Sequence, residues 1–159
     1  MMELGVRPGE ARALKWESID QKDRIITICA GFDKGVWKPF PKNREPRSIP
    51  YNDKAQAALD KQPVSLSGFV FVNRLGLPLS DSRVRTAWER ASKRAGVKIN
   101  CYQGPRHSFG TQKIAAGFSE RKAGEMLGQN ISRYDPLLFC RGGGGEFTGV
   151  DGVSVRDCP

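Results

Sequence analysis

Residues 4–20 have the sequence LGVRPGEARALKWESID, in which Pro8 directly follows Arg7. Proline suits the first turn of a helix, because the backbone N–H that it lacks has no partner at that position. The apolar residues that follow are spaced for one side of a helix, so the stretch predicts a short helix from Pro8 to Lys15. The fold therefore opens with a helix that is entered through an Arg-Pro pair.

The next apolar stretch is typical of strands rather than helices. Residues 24–29, RIITIC, are rich in β-branched side chains, and residues 36–38 and 47–50 lie on either side of a basic turn that contains Pro and Asn. This pattern predicts a small antiparallel sheet with a strongly cationic connecting loop.

Helical patterns dominate the rest of the chain. Asn52 is a good N-cap for a helix over residues 53–61, and residues 68–72 predict a short strand. Ser80 opens the clearest helix, which Gly96 closes and whose apolar side combines Val84, Ala87, Trp88, Ala91 and Ala95.

Two further helices complete the prediction. One runs from Pro105 to Ala116 and ends at Gly117, and Ser119 caps the other, whose apolar residues Ala123, Met126 and Leu127 face inward. The predicted fold class is therefore α+β, mainly α with a small antiparallel β-sheet.

Length and composition limit the function classes. The 159 residues carry a formal net charge of +9, and 38% of them are hydrophobic, which fits one domain with a core and excludes a wholly disordered polyelectrolyte. A positive excess of this size favours nucleic acid as partner, ahead of an anionic membrane surface or plain solubility. The sequence contains neither a membrane-spanning run nor a signal peptide core, so we expect no membrane association and a cytoplasmic location.

The four cysteines lie far apart without a CxxC pair, so they predict neither a zinc site nor a disulfide framework. Reduced thiols are the expectation for a cytoplasmic chain.

The charge is unevenly distributed. Residues 135–159 carry a net charge of −2, which leaves +11 on the first 134 residues. The same stretch contains four consecutive glycines, at positions 142–145, and shows no helical or strand periodicity. We therefore expect residues 135–159 to form an irregular, disordered tail outside the fold.

Three separated segments carry the functional signal. They are residues 4–20, residues 41–50 with the sequence PKNREPRSIP, and residues 106–128, which begin RHSFGT and end MLG. In this order and at these spacings they resemble the catalytic domain of tyrosine recombinases, the phage integrase family. The resemblance extends from residue 3 to about residue 134, and it implies a catalytic domain over residues 1–134 that lacks its N-terminal start.

The resemblance implies a chemistry. Members of this family cut DNA when a tyrosine attacks a backbone phosphate, which leaves a 3′-phosphotyrosyl link and a free 5′-hydroxyl. Such a reaction needs no nucleotide or metal cofactor. Double-stranded DNA is the implied partner, with self-association into the four-protomer synapse of the family.

Two arginines are the candidates for binding the phosphate. Arg7 lies in the family's first-arginine box, and Arg106 lies in its HxxR box, beside Pro105 at the predicted start of a helix. Guanidinium groups match phosphate oxygens with bidentate, charge-assisted hydrogen bonds. The alternative for each is a solvated surface arginine.

Lys42 corresponds to the family's hairpin lysine, which donates a proton to the leaving 5′-oxygen. Lys34 and Lys38 are rival candidates, because any cation in this loop can contact a phosphate.

The sequence departs from the family pattern at two histidines. Gln103 takes the place of the first residue of the HxxR box, and Gln129 replaces the histidine of the Leu-Gly-His turn. Glutamine can donate a hydrogen bond to a phosphate oxygen but cannot transfer a proton near neutral pH. His107, the single histidine, either orients the site or has a structural role in the core.

Tyr134 is the candidate nucleophile, because it is the only tyrosine after the Leu-Gly-Gln turn. It follows Gln129 by five residues, about four fewer than in the family, which shortens its reach by roughly 6 Å if the segment is helical. The alternative is a tyrosine without a catalytic role.

Three functions are thus open: an active recombinase domain, a catalytically impaired DNA-binding remnant of an integrase, and an unrelated basic nucleic-acid module. The third requires Arg7 and Arg106 to lie far apart.

Overall fold

A computed structural model describes residues 1–42 and 44–129. Tyr134 and the predicted tail at 135–159 lie outside these residues. The helices of the described part are α1 (Pro8–Ala13), α2 (Asp53–Leu59), α3 (Asp81–Arg94), α4 (Gly104–Ala115) and α5 (Glu120–Met126). The strands are β1 (Ile19–Asp20), β2 (Ile25–Ile28), β3 (Gly31–Asp33), β4 (Val36–Lys38) and β5 (Arg47–Pro50). None of these helices is long and apolar enough to cross a membrane.

The strands form two antiparallel ladders. The first has the order β1-β2-β5 with Ile26 opposite Ile49, which confirms the predicted antiparallel sheet. The sequence predicted residues 36–38 as part of this same sheet. They form β4, which pairs instead with β3 in a separate hairpin. Lys34 and Gly35 between them both have positive φ, at 48° and 84°, and two such residues make the tight turn that best joins twisted strands.

Side-chain caps fix the starts of three helices, as the sequence predicts. The side chain of Asn52 accepts a hydrogen bond from the backbone N–H of Ala55 at 3.0 Å. Ser80 and Ser119 cap α3 and α5 in the same way. Each cap satisfies one of the N–H groups that the first helical turn leaves without a partner.

The predicted strand at residues 68–72 is wrong. This segment forms only isolated bridges, of which Lys15 with Phe69 is one, and the N–H of Val70 donates to the carbonyl of Leu14. Its β-forming composition reflects pairing with the residues that directly follow α1 rather than membership of a sheet, since strand propensity depends on the packing partner.

The apolar side of α3 is less buried than its periodicity predicts. Val84 and Trp88 are half-buried and Ala87 is exposed, and within the described chain no residue of α3 is fully buried. These side chains line an open apolar groove together with Met1 and Phe71.

The core lies between the three-stranded sheet and the helix pair α4 and α5. Ile26 and Ile49 from the sheet are fully buried, as are Leu127 and Phe109 from the helical side. Burial of four such side chains contributes about 1.5–3 kcal/mol each. This core fixes the start of α1, strand β5 and the end of α5 close to one another.

Candidate phosphate-binding site

Glu10 holds Arg7 at the start of α1. The backbone N–H of Arg7 donates to one carboxylate oxygen of Glu10 at 2.8 Å, and Nη1 of Arg7 donates to the other at 2.8 Å. A glutamate at the third helical position that reaches back to the N-cap residue is one half of a capping box. Here the same carboxylate also orients the side chain of the N-cap residue.

Arg47 holds the same carboxylate from the other side. Its Nη2 donates to Glu10 at 2.7 Å and its Nη1 donates to the second oxygen at 3.3 Å. Its Nε donates to the carbonyl of Met126 at 2.9 Å. Arg47 is 8% exposed, so one buried guanidinium joins α1, β5 and the end of α5.

Arg106 completes the group from α4. Its Nη1 donates to the carbonyl of Gly5 at 3.2 Å, two residues before Arg7. Burial, followed by the positive charge of Arg7, lowers the pKa of Arg106 to about 10, while Glu10 opposes the shift. The two arginines of the sequence prediction therefore lie close enough to interact electrostatically.

Gly5 makes this approach possible. It has a φ of +60°, and a Cβ at this position would lie 2.5 Å from Cδ2 of Leu127 and 2.8 Å from Cδ1 of Phe109. Only a residue without a side chain fits between α4 and α5 here, so the Gly5 carbonyl can reach Arg106.

We call Arg7, Glu10, Arg47 and Arg106 the arginine cluster. Burial raises the pKa of Glu10, but the hydrogen bond and charge of Arg47, followed by those of Arg7, outweigh it and hold that pKa below its usual value. The carboxylate is therefore ionised at neutral pH, and the cluster has a net charge of +2. Desolvated guanidinium groups with excess positive charge favour a phosphate, whose oxygens accept charge-assisted hydrogen bonds.

The remaining residues predicted on α4 lie near Arg106 in sequence. Gln103 is the exposed N-cap residue, and its carbonyl accepts hydrogen bonds from the N–H groups of Arg106 at 3.0 Å and His107 at 2.9 Å. His107 is half-buried, and it lines a groove together with Gln103 and Ser108.

Gln129 is half-buried and directly follows the turn at the end of α5. Its N–H donates to the carbonyl of Gly124 at 3.0 Å, and Gly128 before it has a φ of +61°. A Cβ on Gly128 would lie 3.0 Å from Nη1 of Arg47. The turn that carries Gln129 therefore packs directly on the arginine cluster.

The candidate lysines lie outside this group of contacts. Lys42 is exposed in the loop between β4 and β5. Lys38 pairs with Asp33 at 3.5 Å, and Lys34 is exposed in the hairpin turn. The choice of Lys42 stays a prediction, as does the role of Tyr134. In the described ranges no group of three or more His, Cys, Asp or Glu residues could hold a metal ion.

Sequence reasoning missed Glu10 and Arg47 as site residues. Both gave a signal: Glu10 has the capping-box spacing from Arg7, and Arg47 alternates with the buried Ile49 on one face of β5. A charged residue on the buried face of a strand requires a partner, which here is Glu10.

Comparison with known proteins identifies the family. Residues 1–133 match the sequence profile of the phage integrase family. The chain belongs to that family. This membership confirms the resemblance seen in the three sequence segments, and the convergence of Arg7 with Arg106 argues against an unrelated basic module.

Relatives of this integrase-family chain include bacterial recombinases. It is 27% identical over 125 residues to tyrosine recombinase XerC of Lactobacillus delbrueckii subsp. bulgaricus, an alignment that covers 78% of this chain and 42% of XerC. It is 28% identical over 106 residues to a shufflon-specific DNA recombinase of Escherichia coli, which covers 67% of this chain and 23% of that protein. The chain thus spans less than half the length of these relatives.

Solved structures confirm the fold class. The crystal structure of XerA recombinase superposes with a TM-score of 0.71 at 20% identity, covering 89% of this chain and 50% of XerA. The Tn1549 transposon integrase in complex with transposon right end DNA gives 0.67 at 21% identity, with coverages of 82% and 49%. The integrase-family chain therefore has the α+β fold of tyrosine recombinase catalytic domains.

Proposed function

We propose that this chain is the catalytic domain of a site-specific DNA recombinase, formed by residues 1–134, that breaks and rejoins double-stranded DNA through a 3′-phosphotyrosine. The convergence of Arg7 and Arg106 carries the proposal: Arg106 donates to the carbonyl of Gly5, two residues before Arg7, and the charge of Arg7 lowers its pKa, which supports the binding of one phosphate by both guanidinium groups. Family membership supports the reaction type. The structure of the Tn1549 integrase in complex with DNA supports DNA as the partner.

The reaction assigns one role to each group. The Tyr134 oxygen attacks phosphorus and releases its proton to solvent water, the bond from phosphorus to the 5′-oxygen breaks, and Lys42 donates a proton to that oxygen. Arg7 and Arg106 stabilise the negative charge on the non-bridging oxygens. The 5′-hydroxyl of another strand then attacks the phosphotyrosine, which restores the tyrosine and rejoins DNA.

Glutamine at both histidine positions shapes this mechanism. Gln103 and Gln129 contribute hydrogen bonds only, so proton donation to the leaving oxygen falls to Lys42, and His107 orients the site. We further propose self-association on DNA, as in the family's four-protomer synapse, and a cytoplasmic location. Both are properties of a whole protein, and we infer them from the longer relatives.

A catalytically impaired DNA-binding remnant is the second candidate function. The two glutamines and the shortened spacing to Tyr134 favour it. The positive cluster would then bind phosphate without cleavage.

Covalent capture of DNA separates the two functions. The chain is incubated with a library of nicked duplexes of randomised sequence, so that a cleaved strand diffuses away and traps the protein–DNA adduct. We expect an adduct that resists denaturing electrophoresis and disappears in Tyr134→Phe. Tyr102→Phe is the matched control, because Tyr102 is exposed and its hydroxyl donates to Asp81 on the surface.

Each outcome is informative. DNA binding that weakens with salt but yields no adduct would establish the remnant and refute the enzyme. Absence of DNA binding would refute both functions.

A further inference from the structure

Arg47 occupies an unusual position for a charged residue in a strand. It lies on the same face of β5 as the fully buried Ile49, and it is itself buried, while the neighbouring Glu45 and Pro46 are exposed. A buried guanidinium persists only where its donors are satisfied, because burial of an unpaired charge is strongly unfavourable. Its contacts therefore show what it holds in place.

Those contacts link two parts of the proposed site that are distant in sequence. On one side, two donors of Arg47 hold both oxygens of Glu10, the carboxylate that orients Arg7. On the other side, Nε holds the carbonyl of Met126, from which the chain continues to Gln129. The guanidinium therefore spans the start of α1 and the end of α5.

We propose that Arg47 is a positioning residue, which fixes the Glu10 carboxylate and the turn after α5 relative to each other so that Arg7 and Gln129 face one phosphate. This inference rests on the proposed function, and it adds a residue to which the sequence motifs assigned no role. Arg47 acts through Glu10 and the Met126 carbonyl and does not touch the phosphate.

The role proposed for Arg47 depends on the shape of its guanidinium group and not only on its positive charge. A planar guanidinium directs donors to two acceptors on opposite sides, whereas a lysine ammonium is a single point charge. Arg47→Lys therefore keeps the cluster's net charge of +2 and removes the link. Arg90→Lys is the matched control, because Arg90 is exposed on α3.

The first experiment compares DNA binding with cleavage. On a duplex captured from the library, Arg47→Lys should bind with a Kd within about threefold of the parent chain, while the rate of adduct formation falls at least about tenfold, since small displacements of catalytic groups slow reactions strongly. Arg90→Lys should match the parent chain in both. An unchanged adduct rate in Arg47→Lys, or equal loss of binding and rate, would overturn the proposal.

A second variant displaces Arg47 without replacing it, and it decides the matter if Arg47→Lys does not fold. A Cβ on Gly128 would lie 3.0 Å from Nη1 and 3.2 Å from Cζ of Arg47, so Gly128→Ala pushes on the guanidinium. Gly96→Ala is its control, because Gly96 has a similar φ of +67° but open space around it. Only Gly128→Ala should slow adduct formation; equal rates in the two alanine variants would refute the role of Arg47.

A readout without cleavage separates this inference from the proposed function. If the parent chain forms no adduct, the proposed function fails. The inference about Arg47 is then tested by nitrogen NMR, which follows the Nε resonances of Arg7 and Arg106 during titration with inorganic phosphate. A positioned site predicts that both resonances shift with one apparent Kd in the parent chain and with different ones in Arg47→Lys. Joint shifts in both proteins, or in neither, would overturn the inference.

Discussion

Replacing Glu10 with glutamine removes the negative charge that balances the arginine cluster while keeping the shape of the side chain. Glu10 is 3% exposed and accepts hydrogen bonds from the backbone and side chain of Arg7 and from two donors of Arg47. In Glu10→Gln, an amide NH₂ faces guanidinium donors and one acceptor is lost. The buried Arg47 then keeps its charge without a counter-ion.

The expected loss of stability is large. Breaking a buried ion pair by removing one partner costs about 3–5 kcal/mol. With a urea m-value of about 2 kcal/mol/M, the unfolding midpoint should fall by roughly 1.5–2.5 M. The control Glu17→Gln changes a side chain that is 61% exposed and forms a surface ion pair with Lys15, so it should cost less than about 1 kcal/mol.

The pH dependence has a definite sign. Because the folded state holds the pKa of Glu10 below its unfolded value, its contribution to stability is present above the unfolded pKa of about 4.3 and is lost as pH falls through the folded pKa. The stability difference between the parent chain and Glu10→Gln should therefore be largest above about pH 5 and shrink in more acidic solution.

Urea unfolding followed by circular dichroism measures both effects. The double variant Glu10→Leu, Arg47→Met replaces the whole pair with apolar side chains and should recover much of the loss, since such replacements are often neutral. A midpoint for Glu10→Gln within about 0.3 M of the parent chain, or a double variant no more stable than the single one, would refute the reasoning.

Three more outcomes follow from the structure. Gly5→Ala should destabilise the chain by about 1–3 kcal/mol more than Gly96→Ala in thermal unfolding, because both have positive φ but only the first meets the side chain of Leu127; equal losses would contradict this. Asn52→Ala should cost about 1 kcal/mol in the same assay through loss of the cap on Ala55, and an unchanged melting temperature would contradict the cap. In fluorescence anisotropy, duplex affinity should fall at least about threefold between 50 and 200 mM salt, as neutralisation of a single phosphate requires, and a salt-independent affinity would exclude phosphate binding.

Local chemistry made most of the fold predictable. The caps at Asn52, Ser80 and Ser119 marked three helix starts, the strand at residues 25–28 followed from β-branched side chains, and the strand at residues 47–50 followed from the basic turn before it. Proline after Arg7 marked the start of α1. Each of these signals lies within a few residues of the feature that it specifies.

The errors arose where distant packing decides the outcome. Residues 68–72 have the composition of a strand, but their partner is the short segment directly after α1, which sequence periodicity does not reveal. The apolar periodicity of α3 likewise shows which side of the helix is apolar, but it does not show how much of that side is buried.

The same limit applies to the site. Motif spacing predicted both Arg7 and Arg106 as site residues. It did not reveal the contacts that hold them in place, which are the hydrogen bonds from Arg106 to the Gly5 carbonyl and from Arg7 to Glu10. The alternation of Arg47 with Ile49 showed that Arg47 needs a partner, but its contact with the Met126 carbonyl, 79 residues later in the chain, is visible only in the structure.

The most direct test of two arginines on one phosphate is a crystal structure of the chain bound to a captured duplex. We expect the scissile phosphate to accept hydrogen bonds from both Arg7 and Arg106 at about 2.7–2.9 Å, with its phosphorus bonded to the Tyr134 oxygen. A scissile phosphate that meets only one of these arginines, or neither, would contradict the proposed site.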